Sequence, residues 1–132
     1  MNTAEFKKLK ISDVMEAPAV IDGSASLADV NSKLVSSPSE MVGVVSGQQL
    51  QGVVTGSTLK DGLLAQKHIA EEVMRPSPTT INADGTVNDA IELMSTRGFD
   101  KLPVVDGSNN FVGVVSKKGL LRRMANDVSI TY

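Results

Sequence analysis

The tetrapeptide Gly52-Val53-Val54-Thr55 returns later in the chain as Gly113-Val114-Val115-Ser116, and this recurrence decides the fold. Each copy is an apolar run suited to a buried strand, and each ends on a hydroxyl side chain before a helix-compatible segment. Upstream, the dipeptides Val14-Met15 and Val73-Met74 recur in the same order, each followed by proline. Because matching positions keep a nearly constant spacing of about 60 residues, the chain is interpreted as a tandem duplication.

Each copy predicts a short extended piece followed by an amphipathic helix. The extended pieces are expected at residues 19–21 and 79–81, just after the prolines. Ser26 and Thr86 are suited to cap the helices that follow, because their side-chain oxygens can accept from free backbone N–H groups. Asp29 and Asp89 then fall in the first helical turn, where a negative charge suits the helix dipole.

Two β-rich runs and a final helix complete each copy. The paired runs are residues 42–45 with 52–55 and residues 102–105 with 111–116. Turn-forming residues separate the partners, so each pair predicts a β-hairpin. The final helices carry Leu59, Leu63 and Leu64 in the first copy and Leu120, Leu121 and Met124 in the second.

The predicted fold is α+β (mixed α/β), with two pseudo-symmetric β-α-β-β-α repeats packed into one module. A small sheet with helices on one face leaves its other apolar face exposed to water. Packing two copies against each other covers both of these faces, so a shared core is expected.

Composition excludes several classes of function. The formal net charge of -2 predicts no general affinity for nucleic acid, and 3% aromatic residues leave little for base stacking. The absence of cysteine excludes disulfides and thiolate catalysis. No apolar run is long enough to span a membrane, and the polar N-terminus lacks a signal-peptide core, so a cytoplasmic location is expected.

Catalytic and metal-binding patterns are scarce in the sequence. His68 is the only histidine, and a single histidine cannot by itself build a transition-metal site. No serine-hydrolase elbow occurs, and neither common type of phosphate-binding loop is present. The chain is therefore expected to be non-enzymatic, with no catalytic residues, no metal site and no required cofactor.

The strand-to-helix turns are the candidate binding features. Thr55, Ser57 and Thr58 lie in the first turn and Ser116 lies in the second. Free backbone N–H groups at a helix N-terminus suit a phosphate or a sugar hydroxyl. The same hydroxyl side chains suit plain N-capping, so the residues leave both roles open.

The order of these motifs resembles a pair of CBS domains, the cystathionine-β-synthase-type regulatory repeat also called a Bateman module. The matching residues are Val14-Met15-Glu16-Ala17-Pro18, Val73-Met74-Arg75-Pro76-Ser77-Pro78, Lys101-Leu102-Pro103-Val104-Val105-Asp106 and the two Gly-Val-Val-Thr/Ser turns. The resemblance implies a first repeat at residues 10–66 and a second repeat at residues 69–126. A polar N-terminal segment at residues 1–9 and a C-terminal tail at residues 127–132 would flank them.

The resemblance also implies two clefts between the repeats, and in many members such clefts bind AMP, ADP, ATP or S-adenosylmethionine. Cleft one would use Thr55, Ser57, Thr58, Thr79, Thr80, Ile81, Lys101, Leu102, Pro103 and Val104. Cleft two, expected to be the weaker site, would use Ala19, Val20, Ile21, Gly43, Val44, Ser116, Lys117 and Lys118. Lys101 occupies a position where relatives often hold a basic residue near the phosphates.

The chain departs from the family at one informative position. Relatives place a ribose-binding aspartate three residues after the turn hydroxyl, where this chain has Thr58 and Gly119. Two hypotheses follow: a sensor that binds an adenosine-type ligand and signals to an unknown effector protein, or a degenerate module that serves dimerisation or protein docking. Under both, a homodimer formed through the leucines of the final helices is expected.

Overall fold

Two small β-sheets form the centre of the protein, and the computed structural model describes residues 1–128. The strands are β1 (Val20–Asp22), β2 (Met41–Ser46), β3 (Gln49–Thr55), β4 (Arg75–Pro76), β5 (Ile81–Asn82), β6 (Lys101–Val105) and β7 (Phe111–Ser116). The helices are α1 (Thr3–Lys7), α2 (Ile11–Val14), α3 (Leu27–Ser36), α4 (Gly56–Leu64), α5 (Ala70–Val73), α6 (Val87–Arg97) and α7 (Lys117–Asp127). The first sheet has the order β1-β2-β3-β4 and the second the order β5-β6-β7.

The predicted β-α-β-β-α order is confirmed in both copies, and so are both helix caps. The Ser26 hydroxyl accepts a hydrogen bond from the Asp29 backbone N–H at 3.2 Å, and α3 begins there. Thr86 caps α6 in the same way, and the Asp89 carboxylate accepts in return from the Thr86 N–H at 3.0 Å. The first strands lie slightly later than predicted, because parallel pairing with the neighbouring strand starts at Val20 and at Ile81.

The helix that opens each copy packs on the sheet of the other copy. Ala70 and Val73 of α5 belong to a buried cluster made otherwise of first-copy residues. Ile11 and Val14 of α2, together with Phe6 of α1, belong to the corresponding cluster of the second copy.

The segment at residues 1–9, expected to be a polar extension, contains helix α1, and the phenylalanine of that helix is part of the core. In the predicted tail at residues 127–132, Asp127 is the last residue of α7, and residues 129–132 lie outside the described residues.

This exchange gives a physical reason for the repeated motifs. The side chain of Met74 covers Gly52, and a Cβ at that glycine would lie 2.6 Å from the Met74 sulfur. Met15 covers Gly113 in the same way in the other sheet. The Val-Met dipeptide and the Gly-Val-Val turn recur together because the methionine side chain packs directly on the glycine, where a Cβ would clash with its sulfur. The short strand β4, which was not predicted, follows from the same contact, since Pro76 pairs with Gly52.

The inner faces of the two sheets meet in a third buried cluster, which confirms the shared core. Its members are Met41, Leu50, Val53, Val105, Phe111 and Val114. The hairpin turns also join the copies, because the Phe111 N–H donates to the Gln48 carbonyl at 2.9 Å. Neither copy buries its apolar sheet face without the other.

The final helices present a narrower apolar surface than predicted. Leu59 and Leu120 are buried in the core clusters, so they do not belong to an external stripe. Leu63, Leu64 and Leu121 are 56%, 75% and 66% exposed. In α7, helical geometry turns the adjacent residues Leu120 and Leu121 to different sides, and only Leu120 reaches the core. Within residues 1–128, every helix is too short or too polar to cross a membrane.

Candidate functional site

A cleft of about 550 Å³ lies between the two copies, and both copies line it. The first copy contributes Met41, Val53, Thr55 and Ser57. The second copy contributes residues 75–79, which leave helix α5, and residues 98–103, which lead into strand β6. This is the place predicted for cleft one.

The floor of cleft one is apolar, and its rim carries hydroxyl and charged groups. Met41 and Val53 lie on the inner face of the first sheet, and both belong to the cluster between the sheets. Leu102 and Pro103 form an apolar wall from the second copy. An apolar slot with a few convergent polar groups is the usual form of a small-molecule site.

Six of the ten residues predicted for cleft one line it in the structure. They are Thr55, Ser57, Thr79, Lys101, Leu102 and Pro103. The other four, Thr58, Thr80, Ile81 and Val104, lie outside its lining. Val104 is fully buried in the core, and Ile81 packs against the same cluster. Thr80 lines a separate hollow beside the hairpin turns.

Thr58 takes part in a helix cap. Its hydroxyl accepts from the Thr55 N–H at 2.9 Å and donates to the Thr55 carbonyl at 3.1 Å. The donor of the hydroxyl and one of its two acceptor lone pairs are therefore used within the turn. For Thr58 the structure shows the N-capping role that the sequence left open, and a role in ligand binding stays a prediction.

Lys101 links the two copies at the edge of cleft one. Its ammonium group donates to the carbonyl of Ser39 at 3.1 Å and to that of Glu40 at 3.3 Å. Lys101 also lines an adjoining hollow, together with Thr55 and Ser57. Because both acceptors are neutral carbonyls, its positive charge has no counter-ion among residues 1–128.

Sequence reasoning missed two charged residues of cleft one, Arg75 and Asp100. Arg75 enters the cleft lining because β4 pairs it with Val53. A two-residue strand produces no periodic pattern, so only the quoted Val-Met-Arg-Pro motif pointed to this position. Asp100 precedes β6, and its carboxylate lies 3.9 Å from the ammonium group of Lys117.

The residues predicted for cleft two are divided among several surroundings. Ile21 and Val44 are buried in the core of the first copy. The ring of Phe111 lies against Gly43, in the space that a Cβ would occupy.

The other residues predicted for cleft two lie at a helix cap or near the surface. The Ser116 hydroxyl caps α7 by accepting from the Gly119 N–H at 3.0 Å. Ala19 packs on the first core, Val20 lines a hollow beside α3, and Lys117 and Lys118 are exposed at the start of α7.

Glu16 takes up the space beside Gly119. A Cβ at Gly119 would collide with a carboxylate oxygen of Glu16, so this position has no room for a larger side chain unless Glu16 moves. The other oxygen of Glu16 is buried, and it has no hydrogen-bond partner among the residues that the structure describes. The region predicted for cleft two is therefore partly filled by the protein's own side chains.

Comparison with known proteins relates the second copy to a known domain family. Residues 70–126 match the family model of the CBS domain. An uncharacterized protein of Methanopyrus kandleri is 27% identical over 89 residues, which cover 67% of this chain and 43% of that protein. Inosine-5'-monophosphate dehydrogenase of Thermoplasma acidophilum is 30% identical over 84 residues, which cover 64% of this chain and 15% of the enzyme. The chain thus spans less than half the length of these curated relatives.

Solved structures of the same fold extend the likeness to both copies. The CBS domain pair of protein MJ0100, in complex with 5'-methylthioadenosine and S-adenosyl-L-methionine, has a TM-score of 0.78 at 22% identity and covers 90% of this chain and 98% of its own. The protein CBSX2 in complex with AMP has a TM-score of 0.76 at 23% identity, and the match covers 89% of this chain and 96% of CBSX2. The cytosolic domain of the Mg2+ channel MgtE in complex with ATP has a TM-score of 0.74 at 21% identity, and the match covers 90% of this chain and 50% of the MgtE domain. The second copy therefore matches the CBS domain, and the chain as a whole has the fold of a tandem CBS domain pair.

Proposed function

We propose that this CBS pair is a non-enzymatic regulatory module that binds an adenosine-containing ligand in cleft one and passes the effect to a partner protein. The observation that carries the proposal is that both copies line this cleft. A ligand held there contacts both copies at once, so its binding depends on how they pack. The complexes of related CBS pairs with AMP, with ATP and with S-adenosylmethionine support the choice of ligand class.

The lining of cleft one suits the parts of an adenosine compound. Leu102, Pro103 and Val53 offer apolar surface for a purine. The hydroxyl groups of Ser57 and Thr79 offer donors and acceptors for a ribose. Asp100 supplies the carboxylate that is missing at Thr58, although it comes from the other copy. Each of these roles is part of the proposal.

Lys101 is the proposed link between ligand binding and the packing of the copies. Its hydrogen bonds to Ser39 and Glu40 cross from the second copy to the first at the edge of the cleft. A ligand that draws the ammonium group toward itself weakens those two bonds. Binding then differs between two arrangements of the copies, which is what a ligand needs in order to shift a conformational equilibrium.

Adding an adenosine compound is expected to raise the melting temperature of the protein. A ligand at one hundred times its dissociation constant contributes about 2.7 kcal/mol to the free energy of unfolding. We would measure thermal melts with adenosine, AMP, ADP, ATP and S-adenosylmethionine, and follow each shift by calorimetry. Ser57→Phe places a ring in the cleft from an exposed position and is expected to abolish the shift, whereas Asn31→Phe on the exposed face of α3 retains it.

Failure of all these compounds to shift the melt would favour the second candidate, a module that serves dimerisation or docking. Two observations support this alternative. Neither Thr58 nor Gly119 supplies the carboxylate that the family uses for ribose. Three leucines of the final helices, Leu63, Leu64 and Leu121, are exposed to water.

Leu63→Glu is expected to convert a homodimer into a monomer. Leu63 and Leu64 form an exposed apolar pair on α4, and a charge placed in a buried interface is strongly unfavourable. Size-exclusion chromatography with light scattering measures the mass of each variant. Val35→Glu, at a position 79% exposed on α3, is the matched control and is expected to stay dimeric. A Leu63→Glu protein that elutes as a dimer would show that α4 is not the interface.

A further inference from the structure

Cleft one carries more positive than negative charge, although the chain as a whole is acidic. Arg75 and Lys101 line it together with one carboxylate, that of Asp100. The formal net charge of the chain is -2. The Asp100 carboxylate is itself close to Lys117, at 3.9 Å, which reduces its effect on the cleft. The cleft is therefore a local cationic site on an acidic protein.

Strand pairing places the Arg75 side chain over the cleft. Arg75 lies directly opposite Val53 in the antiparallel pair of β4 and β3. Cross-strand partners project to the same face of a sheet, and Val53 projects into the cleft floor. The guanidinium group has no hydrogen-bond or ion-pair partner within residues 1–128, so its five N–H donors are available to a ligand.

The backbone around Arg75 is held in place before any ligand arrives. Pro76 pairs with Gly52, and the Ser77 N–H donates to the Gln51 carbonyl at 3.2 Å. Ser77 has a positive φ of 48°, which turns the chain sharply after β4. A binding group on a fixed backbone loses less entropy when a ligand is bound.

The other copy carries the opposite charge at the equivalent position. Glu16 follows Val14-Met15 as Arg75 follows Val73-Met74, and it pairs with Val114 as Arg75 pairs with Val53. The same point of the fold therefore presents an anion toward the region of cleft two and a cation toward cleft one. An anionic ligand is favoured in cleft one alone.

We infer that Arg75 determines the specificity of cleft one, and that the cleft selects a phosphorylated adenosine over adenosine itself and over S-adenosylmethionine. The inference rests on the proposed function and names its ligand class. The guanidinium group binds the phosphate oxygens through paired N–H donors, a geometry that suits phosphate. Lys101 adds a second positive charge to the cleft lining.

Calorimetry with AMP, adenosine, S-adenosylmethionine and inorganic phosphate tests this specificity on the full chain. Charge-assisted hydrogen bonds of this kind correspond to roughly 10- to 100-fold in affinity, so AMP is expected to bind that much more tightly than adenosine. In Arg75→Gln the preference for AMP is expected to disappear while adenosine binding is unchanged. Arg75→Lys, which keeps the charge but not the planar fork, is expected to retain part of the preference.

Arg122→Gln supplies the matched control, because it removes the same charge from an exposed position on α7, outside the cleft lining. It is expected to bind AMP as the unaltered chain does. Equal affinity for adenosine and AMP in the unaltered chain would overturn the role of Arg75 and leave the proposed function standing. An AMP preference that survives in Arg75→Gln would do the same. Inorganic phosphate binding as tightly as AMP would show a plain anion site, and it would overturn the proposed adenosine ligand as well. Lack of binding by every adenosine compound would overturn the proposed function itself.

Discussion

Phe6→Ala is expected to lower the free energy of unfolding by about 3–5 kcal/mol, the range for removing a large aromatic side chain from a core. Phe6 is 0% exposed and belongs to the same buried cluster as Val87, Met94 and Leu120. Helix α1 has only five residues, so its own hydrogen bonds cannot hold it in place. The largest contact that holds it is the packing of this ring against the cluster formed with α6 and α7.

Urea denaturation followed by circular dichroism measures this change. Whole domains have free energies of unfolding of about 5–15 kcal/mol, so the loss is a large fraction of the total. Val35→Ala removes an apolar side chain that is 79% exposed and is expected to change the free energy by less than about 0.5 kcal/mol. A Phe6→Ala protein as stable as the Val35→Ala protein would show that residues 1–9 are a loose extension after all.

The second large effect is expected at the two glycines that lie under the methionines. In Gly52→Ala, the new methyl group would lie 2.6 Å from the Met74 sulfur and 2.7 Å from the Arg75 carbonyl oxygen. The sulfur can move, but the carbonyl belongs to the backbone of β4 and moves only if the pairing of Pro76 with Gly52 is distorted. We expect a loss of about 3 kcal/mol, the upper end of the range for overpacking.

Gly113→Ala is expected to lower the free energy of unfolding by a similar amount for the same reason. Its methyl group would meet the Met15 sulfur at 2.5 Å and the Glu16 carbonyl oxygen at 2.9 Å.

The two variants are expected to differ in ligand binding. Only Gly52→Ala shifts Arg75, so only this variant is expected to weaken nucleotide binding as well. Thermal melts and calorimetry on both variants separate the two effects. Gly56→Ala is the control, because nothing lies within 4 Å of its Cβ and alanine favours the helix there. Equal stability of all three variants would refute the proposed reason for the motif.

Much of the local structure could be predicted because it depends on neighbours in the chain. The N-caps at Ser26 and Thr86 and the hairpins that end at Thr55 and Ser116 use contacts over only a few residues. The recurrence of the Gly-Val-Val turn then implied a duplication, and a duplicated half-covered sheet implied a shared core. The cluster around Val53 and Val114 confirms that core.

Only the tertiary structure decided which copy each opening segment packs against. Helices α2 and α5 are both four-residue helices with two buried apolar side chains, and their sequences do not indicate which of the two sheets each will cover. The choice places Phe6 in a core, sets Met74 on Gly52 and brings Arg75 over the cleft floor. The distribution of the leucines between core and solvent also depended on packing, with Leu59 buried and Leu63 exposed.

The sequence by itself therefore determined the duplication, the order of elements, the caps and the side chains that were available for a site. The tertiary structure decided which of those side chains meet, and it placed Arg75 at cleft one and Glu16 at the equivalent position of the other copy. The physical reason is the sequence separation of the interacting residues. Helix caps and strand patterns depend on residues that are close together in the chain, so the local sequence predicts them. The lining of a cleft between two copies depends instead on contacts between residues far apart in the chain, and these exist only once both sheets have packed.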